Sequence, residues 1–187
     1  MIPKDFNKKI DYSTDKYDVY EITTGDTKFN RIKSNVESIC ILPFFMNDHE
    51  KVSSLVLANC ADYTSENSNF LTCINHTFNQ DAHDSIHNCF KDCVKKNLNL
   101  SEFSPNDVFY LGVVNHTIPF NKKYRCYAMN LSNYFDKFED IDQSQLHQKN
   151  KKILDLKNVK FSSAVNGHVT DTLCLSACLL LLSYFSE

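Results

Sequence analysis

The stretch FNQDAHDSIHNCFKDCVKKNLNL, residues 78–100, concentrates two His, two Cys, three Asp and three Lys in little more than one helix length. Three chemistries use such residue types. The first is metal binding: His83 and His87 are four apart, one helical turn, and His76 lies just upstream. Zinc needs a third or fourth ligand, and neither HExxH nor CxxC accompanies the pair. Cys89 and Cys93 fall on the apolar stripe instead, so solvent-facing histidines are the expectation, with His83 and His87 kept as the weaker metal alternative. The second is thiol nucleophilicity, which the eight cysteines and seven histidines permit in number. A thiol inside an apolar helix face is normally inert, however. The third is anion binding by Lys95 or Lys96, whose ammonium groups could neutralise a phosphate directly. The plainer reading is that two lysines at a helix end face water and complement the dipole.

Ala82, Ile86, Cys89, Phe90, Cys93 and Val94 recur at spacings of three and four. This predicts a helix from about Asp81 to Asn97 with one buried face, capped by Asn79 or Asp81 and stopped by Asn99 in a left-handed conformation. Strands are expected at YDVYEIT (17–23), VESICILPFFM (36–46), SSLVLANC (53–60) and FLTCI (70–74), with TGDTKFN (24–30) as a turn. Two more, VFYLGVVN (108–115) and KYRCYAMNL (123–131), are joined by a hairpin-like connection. The charged segment FEDIDQSQLHQKNKKILDLKN (138–158) reads as surface loop with a short helix near 143–152. The apolar run 173–185 reads as a buried C-terminal helix opened by Thr170 or Asp171. It is shorter than the roughly 20 residues a bilayer crossing takes, so no membrane is expected. Residues 1–16 read as a polar arm and 17–187 as one domain. The expected class is α+β, an α/β/α sandwich with helices on both faces of a mixed sheet.

Composition agrees with a folded domain: 42% hydrophobic, 12% aromatic and 23% charged residues. A net charge of −3 offers no general attraction to a phosphate backbone, so binding to nucleic acid would need a local patch. The positions of the cysteines, four apart on helices or inside strands, predict buried thiols rather than disulfides. MIPKDFNKKI lacks the apolar core of a secretory signal, which sets the expectation of a reducing, cytoplasmic setting. Few Gly and Pro (3 and 4), with much Asn and Lys, suggest an AT-rich genome such as a phage, in which case the setting would be a virion.

The order of these elements resembles the layout of Nudix hydrolases over roughly residues 36–185. That family carries G-x5-E-x7-R-E-U-x-E-E-x-G-U, with U apolar, as a loop, helix and loop whose glutamates hold Mg²⁺ against a diphosphate. The phrase YLGVV…P…YRCYAMNLSNY resembles the two strands that follow the motif. Two registers are open. In the first, Phe78 and Asn99 stand for the two Gly, Asp84 for the isolated Glu, Asp92-Cys93 for Arg-Glu and Lys96-Asn97 for the paired Glu. In the second, one residue earlier, His83, Lys91-Asp92 and Lys95-Lys96 take those places. Either way at most one of the three helix carboxylates remains, and a cation replaces an acid where the metal belongs. Mg²⁺ demands oxygen ligands, and a lysine in its place repels it. The resemblance therefore implies a catalytically inactive Nudix-like domain with no cofactor, serving in binding or assembly with a protein partner, a nucleotide or an RNA end. The alternative is a divergent pyrophosphohydrolase using Mg²⁺ on Asp84, Asp92 or the acids of FEDID.

Overall fold

The computed structural model describes residues 6–14, 17–24, 26–34, 36–61, 69–78, 83–116, 120–144, 146 and 153–186. Ten strands form one connected sheet: β1 (Phe6–Ser13), β2 (Tyr17–Thr24), β3 (Thr27–Ser34), β4 (Ser38–Met46), β5 (Val52–Ala61), β6 (Asn69–Thr72), β7 (Ile74–Thr77), β8 (Val108–His116), β9 (Phe120–Asn130) and β10 (Ile153–Lys160). The main path runs β1-β2-β3-β9-β4-β5-β10, with β6 on β5, β7 on β4 and β8 on β9. β4 and β9 run parallel in the centre, paired from Ser38–Tyr124 to Phe44–Asn130. The other pairs are antiparallel except β3 with β9, so the sheet is mixed as expected.

Two helices close the sandwich, α1 (Ile86–Leu98) and α2 (Thr172–Tyr184). The strand period of two divides the central strands between them. Ile39 and Ile41 of β4, Val56 and Ala58 of β5 and Met129 of β9 join Cys89, Phe90, Cys93, Val94 and Leu98 of α1 in one core. Cys40, Leu42 and Phe44, Leu55 and Leu57, and Cys126 and Ala128 join Leu173, Cys174, Ala177, Cys178 and Leu181 of α2 in the other. Continuous apolar runs such as SICILPFF follow from burial on both faces.

Pro43 does not end its strand. On one side of β4 the partner changes from β7, last paired at Ile41–Ile74, to β5, first paired at Phe44–Leu55. Proline, which has no N–H to give, falls in that gap while β9 continues on the other side.

Several expectations need correction. α1 begins at Ile86, not near Asp81: Ser85 is the N-cap, and its Oγ accepts from the Asn88 N–H at 3.2 Å. The proposed caps Asn79 and Asp81 lie outside the described residues. FLTCI is two short strands broken at Cys73. The expected turn 24–30 runs into β3, and the charged segment near 153–160 is β10 on the edge of β5. Most of the short helix expected at 143–152 falls outside the described residues. Within the polar arm, residues 6–13 form β1 against β2. Asp171 does cap α2: its carboxylate accepts from the Cys174 N–H and from Thr72 Oγ1. All eight cysteines are free, and only Cys60 is partly exposed. No helix among the described residues is long and apolar enough to cross a membrane.

Candidate functional site

Two clusters of chemistry-bearing residues gather around α1. The first is a pocket of about 370 Å³ between the start of α1 and strands β8 and β9, lined by Ile86, His87, Phe90, Phe103, Pro105, Val108, Arg125 and Tyr127. Its walls are aromatic: Phe90 meets Phe103 edge-on at 5.6 Å and Tyr127 at 5.4 Å between ring centroids. Arg125 is its cation, and it is held in place. Arg125 Nε donates to Glu37 Oε2 at 2.9 Å, and Lys123 Nζ reaches the other carboxylate oxygen at 3.5 Å. That hydrogen bond from Arg125, with the charges of both cations, keeps the Glu37 carboxyl below the usual range against a smaller opposing effect of burial. A flat ring framed by aromatic edges, with a polar group toward Arg125, suits such a cavity.

The second cluster lies at β7 and the turn before α1. His76, His83 and Cys89 offer ligand atoms all within 4.8 Å of one another. His83 is buried at 8% exposure, edge-on to His76 at 5.7 Å and stacked on Phe78 at 6.2 Å. Its Nε2 lies 3.2 Å from Asp92 Oδ2. Burial pushes the Cys89 thiol up to about 11, and burial with the charges of Lys96 and His83 lowers His76.

Of the two histidines expected to face solvent and kept as the weaker metal alternative, His87 does face solvent and His83 is buried. His83 precedes Ser85 and is therefore off the helix, so the one-turn spacing never applies, while His87 is exposed on the pocket wall. Asp84 is exposed just before the cap. Asp92 is exposed beside His83. Lys95 faces solvent, whereas half-buried Lys96 is close enough to His76 to depress its basicity. Neither lysine lines the pocket. Phe103, Pro105, Arg125 and Tyr127 were missed from sequence because they come from a loop and a strand remote from residues 78–100, and no local motif marks them.

No protein-family model matches the chain, and no curated protein sequence matches it. Solved structures do. An ADP compounds hydrolase superposes over 96% of this chain and 92% of its own, with TM-score 0.58 and 12% identity. The NUDIX domain of Shewanella oneidensis NrtR, complexed with ADP ribose, covers 80% of this chain and 88% of its own at TM-score 0.57 and 8% identity. A NUDIX hydrolase from Nitrosomonas europaea covers 79% and 90% at TM-score 0.53 and 8% identity. The fold is Nudix-like. Asn99 is the left-handed residue ending α1, at φ 53° and ψ 28°, the conformation that suits the second Gly position of the first register. In that register Cys93, Lys96 and Asn97 take the places of the three helix glutamates. Cys93 is fully buried, and burial pushes its thiol up to about 12. Asn97 is buried too, its amide donating to the Cys93 carbonyl at 2.8 Å.

Proposed function

We propose that this Nudix-like domain works by binding a ring-bearing ligand, of the adenine nucleotide class, without hydrolysing it. The observation that carries the reading is the left-handed Asn99 at the end of α1, which favours the register that puts Cys93, Lys96 and Asn97 in the places of the family's three helix glutamates. Hydrolysis of a diphosphate by metal-activated water needs hard oxygen donors converging on the ion. A buried thiol and a lysine supply none, and a buried neutral amide supplies no carboxylate. The enzyme alternative would have to draw Mg²⁺ to Asp84 and Asp92, and Asp92 is engaged with His83. The described pocket, by contrast, falls within the usual range for small-molecule sites, about 300–1,000 Å³.

Other proteins of similar fold support a binding role. One is a NUDIX domain complexed with ADP ribose, and another, the C-terminal domain of mouse MUTYH, is in complex with human PCNA. A protein partner is therefore compatible with the same domain.

The test is to incubate the protein with ADP-ribose and diadenosine tetraphosphate, with Mg²⁺ or Mn²⁺, following products by chromatography and binding by calorimetry. Binding without turnover is expected, weakened about tenfold or more in Arg125→Leu, because a charge-assisted hydrogen bond is worth about 1.5–3 kcal/mol. Chelator-sensitive turnover lost in Asp92→Asn would overturn the reading in favour of a rebuilt metal site. Absence of both binding and turnover from folded protein would exclude adenine nucleotides as the ligand.

A further inference from the structure

We propose that His76, His83 and Cys89 form a zinc site that fastens the turn before α1 to strand β7. The three residues come from three different pieces of chain: β7, the turn preceding Ser85, and the second turn of α1. Their ligand atoms lie within 4.8 Å of one another. Tetrahedral zinc, with bonds of about 2.0–2.3 Å, places its ligands roughly 3.3–3.8 Å apart, so the cluster needs to contract by about 1 Å. That is within the reach of side-chain rotation.

The donor set selects the metal. Two imidazoles and a thiol are borderline-soft ligands that suit zinc and do not suit Mg²⁺ or Ca²⁺. Cys89 and His83 are buried, at 0% and 8% exposure, so an ion there sits at low dielectric and its charge must be met locally. Thiolate formation at Cys89, with its proton released to solvent, supplies one negative charge, and the carboxylate of Asp92 beside His83 supplies the second. Carboxylates in that position are common partners of metal-bound histidine.

This proposal does not depend on the ligand-binding reading, since none of the three residues lines the aromatic pocket. It also differs from the His83 and His87 pair suggested by sequence spacing. With three protein ligands the tetrahedral site would take water as its fourth, and the ion would fix where α1 begins.

Cobalt(II) is the probe, because its visible bands report geometry and a thiolate ligand adds a charge-transfer band in the near ultraviolet. Titration of the whole chain with Co²⁺ should give one tetrahedral site per molecule with thiolate charge transfer, and Zn²⁺ should displace it stoichiometrically. Cys89→Ser should abolish the charge-transfer band, His76→Ala should weaken Zn²⁺ binding at least about tenfold, and Cys60→Ser should change neither. Because Cys89 is in the core, His76→Ala, at a half-buried strand position, carries the test if Cys89→Ser does not fold. A weak octahedral spectrum without thiolate charge transfer, or zinc affinity unchanged in His76→Ala, would overturn the proposal.

Discussion

At the residue scale, the identity of a side chain was readable in the sequence but its company was not. His83 is an example: spacing joined it to His87, yet one serine two residues later starts the helix and turns His83 inward to His76 and Asp92. The cysteines were legible as buried thiols because each sits inside an apolar run. Arg125 was not legible, since its partner Glu37 is 88 residues away and meets it only through the parallel pairing of β4 and β9. That pair carries a pH prediction. The Glu37 pKa is depressed in the folded protein, so its contribution is fully present above the unfolded carboxyl value and is lost as pH falls through the folded one. Both side chains are about one-third exposed, so the contribution is under about 1 kcal/mol. Glu37→Gln should lower the urea midpoint slightly at pH 7, and the difference from wild type should be smaller at pH 3. An equal difference at both pH values would mean that the carboxylate charge is not what stabilises the contact.

At the element scale, strands buried on both faces announced themselves, while those at the margin did not. ILDLKNVK carries Lys157, Asn158 and Lys160 at exposed positions of an edge strand, and so reads as loop although Ile153 and Leu156 are buried against β5. β8 was found, but its irregularity was not. Its pairing with β9 shifts between Tyr110 and Gly112, and Gly112 takes φ 127°, a conformation that L side chains rarely adopt. A Cβ on Gly112 would meet nothing within 4 Å, so its cost is conformational rather than steric crowding by neighbours. Gly112→Ala should therefore destabilise by about 1–3 kcal/mol, measured by urea unfolding. Because the bulge sets which β8 side chains share a face with Tyr127, the same variant should also weaken ligand binding in the adjoining pocket. A variant as stable as wild type would show that the bulge relaxes freely.

At the scale of the whole molecule, the α/β/α layout follows from two apolar faces on one sheet, and the strands before β4 stand apart from it. β1 pairs only with β2, and its described side chains from Lys9 to Ser13 are exposed, including Ile10 at 54% and Tyr12 at 56%. β3 meets the rest of the sheet through a two-residue parallel pairing, Ile32–Phe120 and Lys33–Asn121. Neither core includes any of the described side chains of β1, Lys9 to Ser13, so removing them takes away main-chain hydrogen bonds at an edge and little apolar burial. Intramolecular hydrogen bonds contribute about 0.5–1.5 kcal/mol each at most, and edge bonds exchanged for water fall at the low end. For a chain of this size 1 kcal/mol moves the melting temperature by about 2–4 °C. Deleting residues 1–16, with the ordering entropy of the strand offsetting part of its hydrogen bonding, should lower Tm by less than about 10 °C, keep a single cooperative transition and leave zinc and nucleotide binding unchanged. Loss of cooperativity, or a fall of more than about 10 °C, would place β1 inside the folding unit and make the boundary at residue 16 wrong.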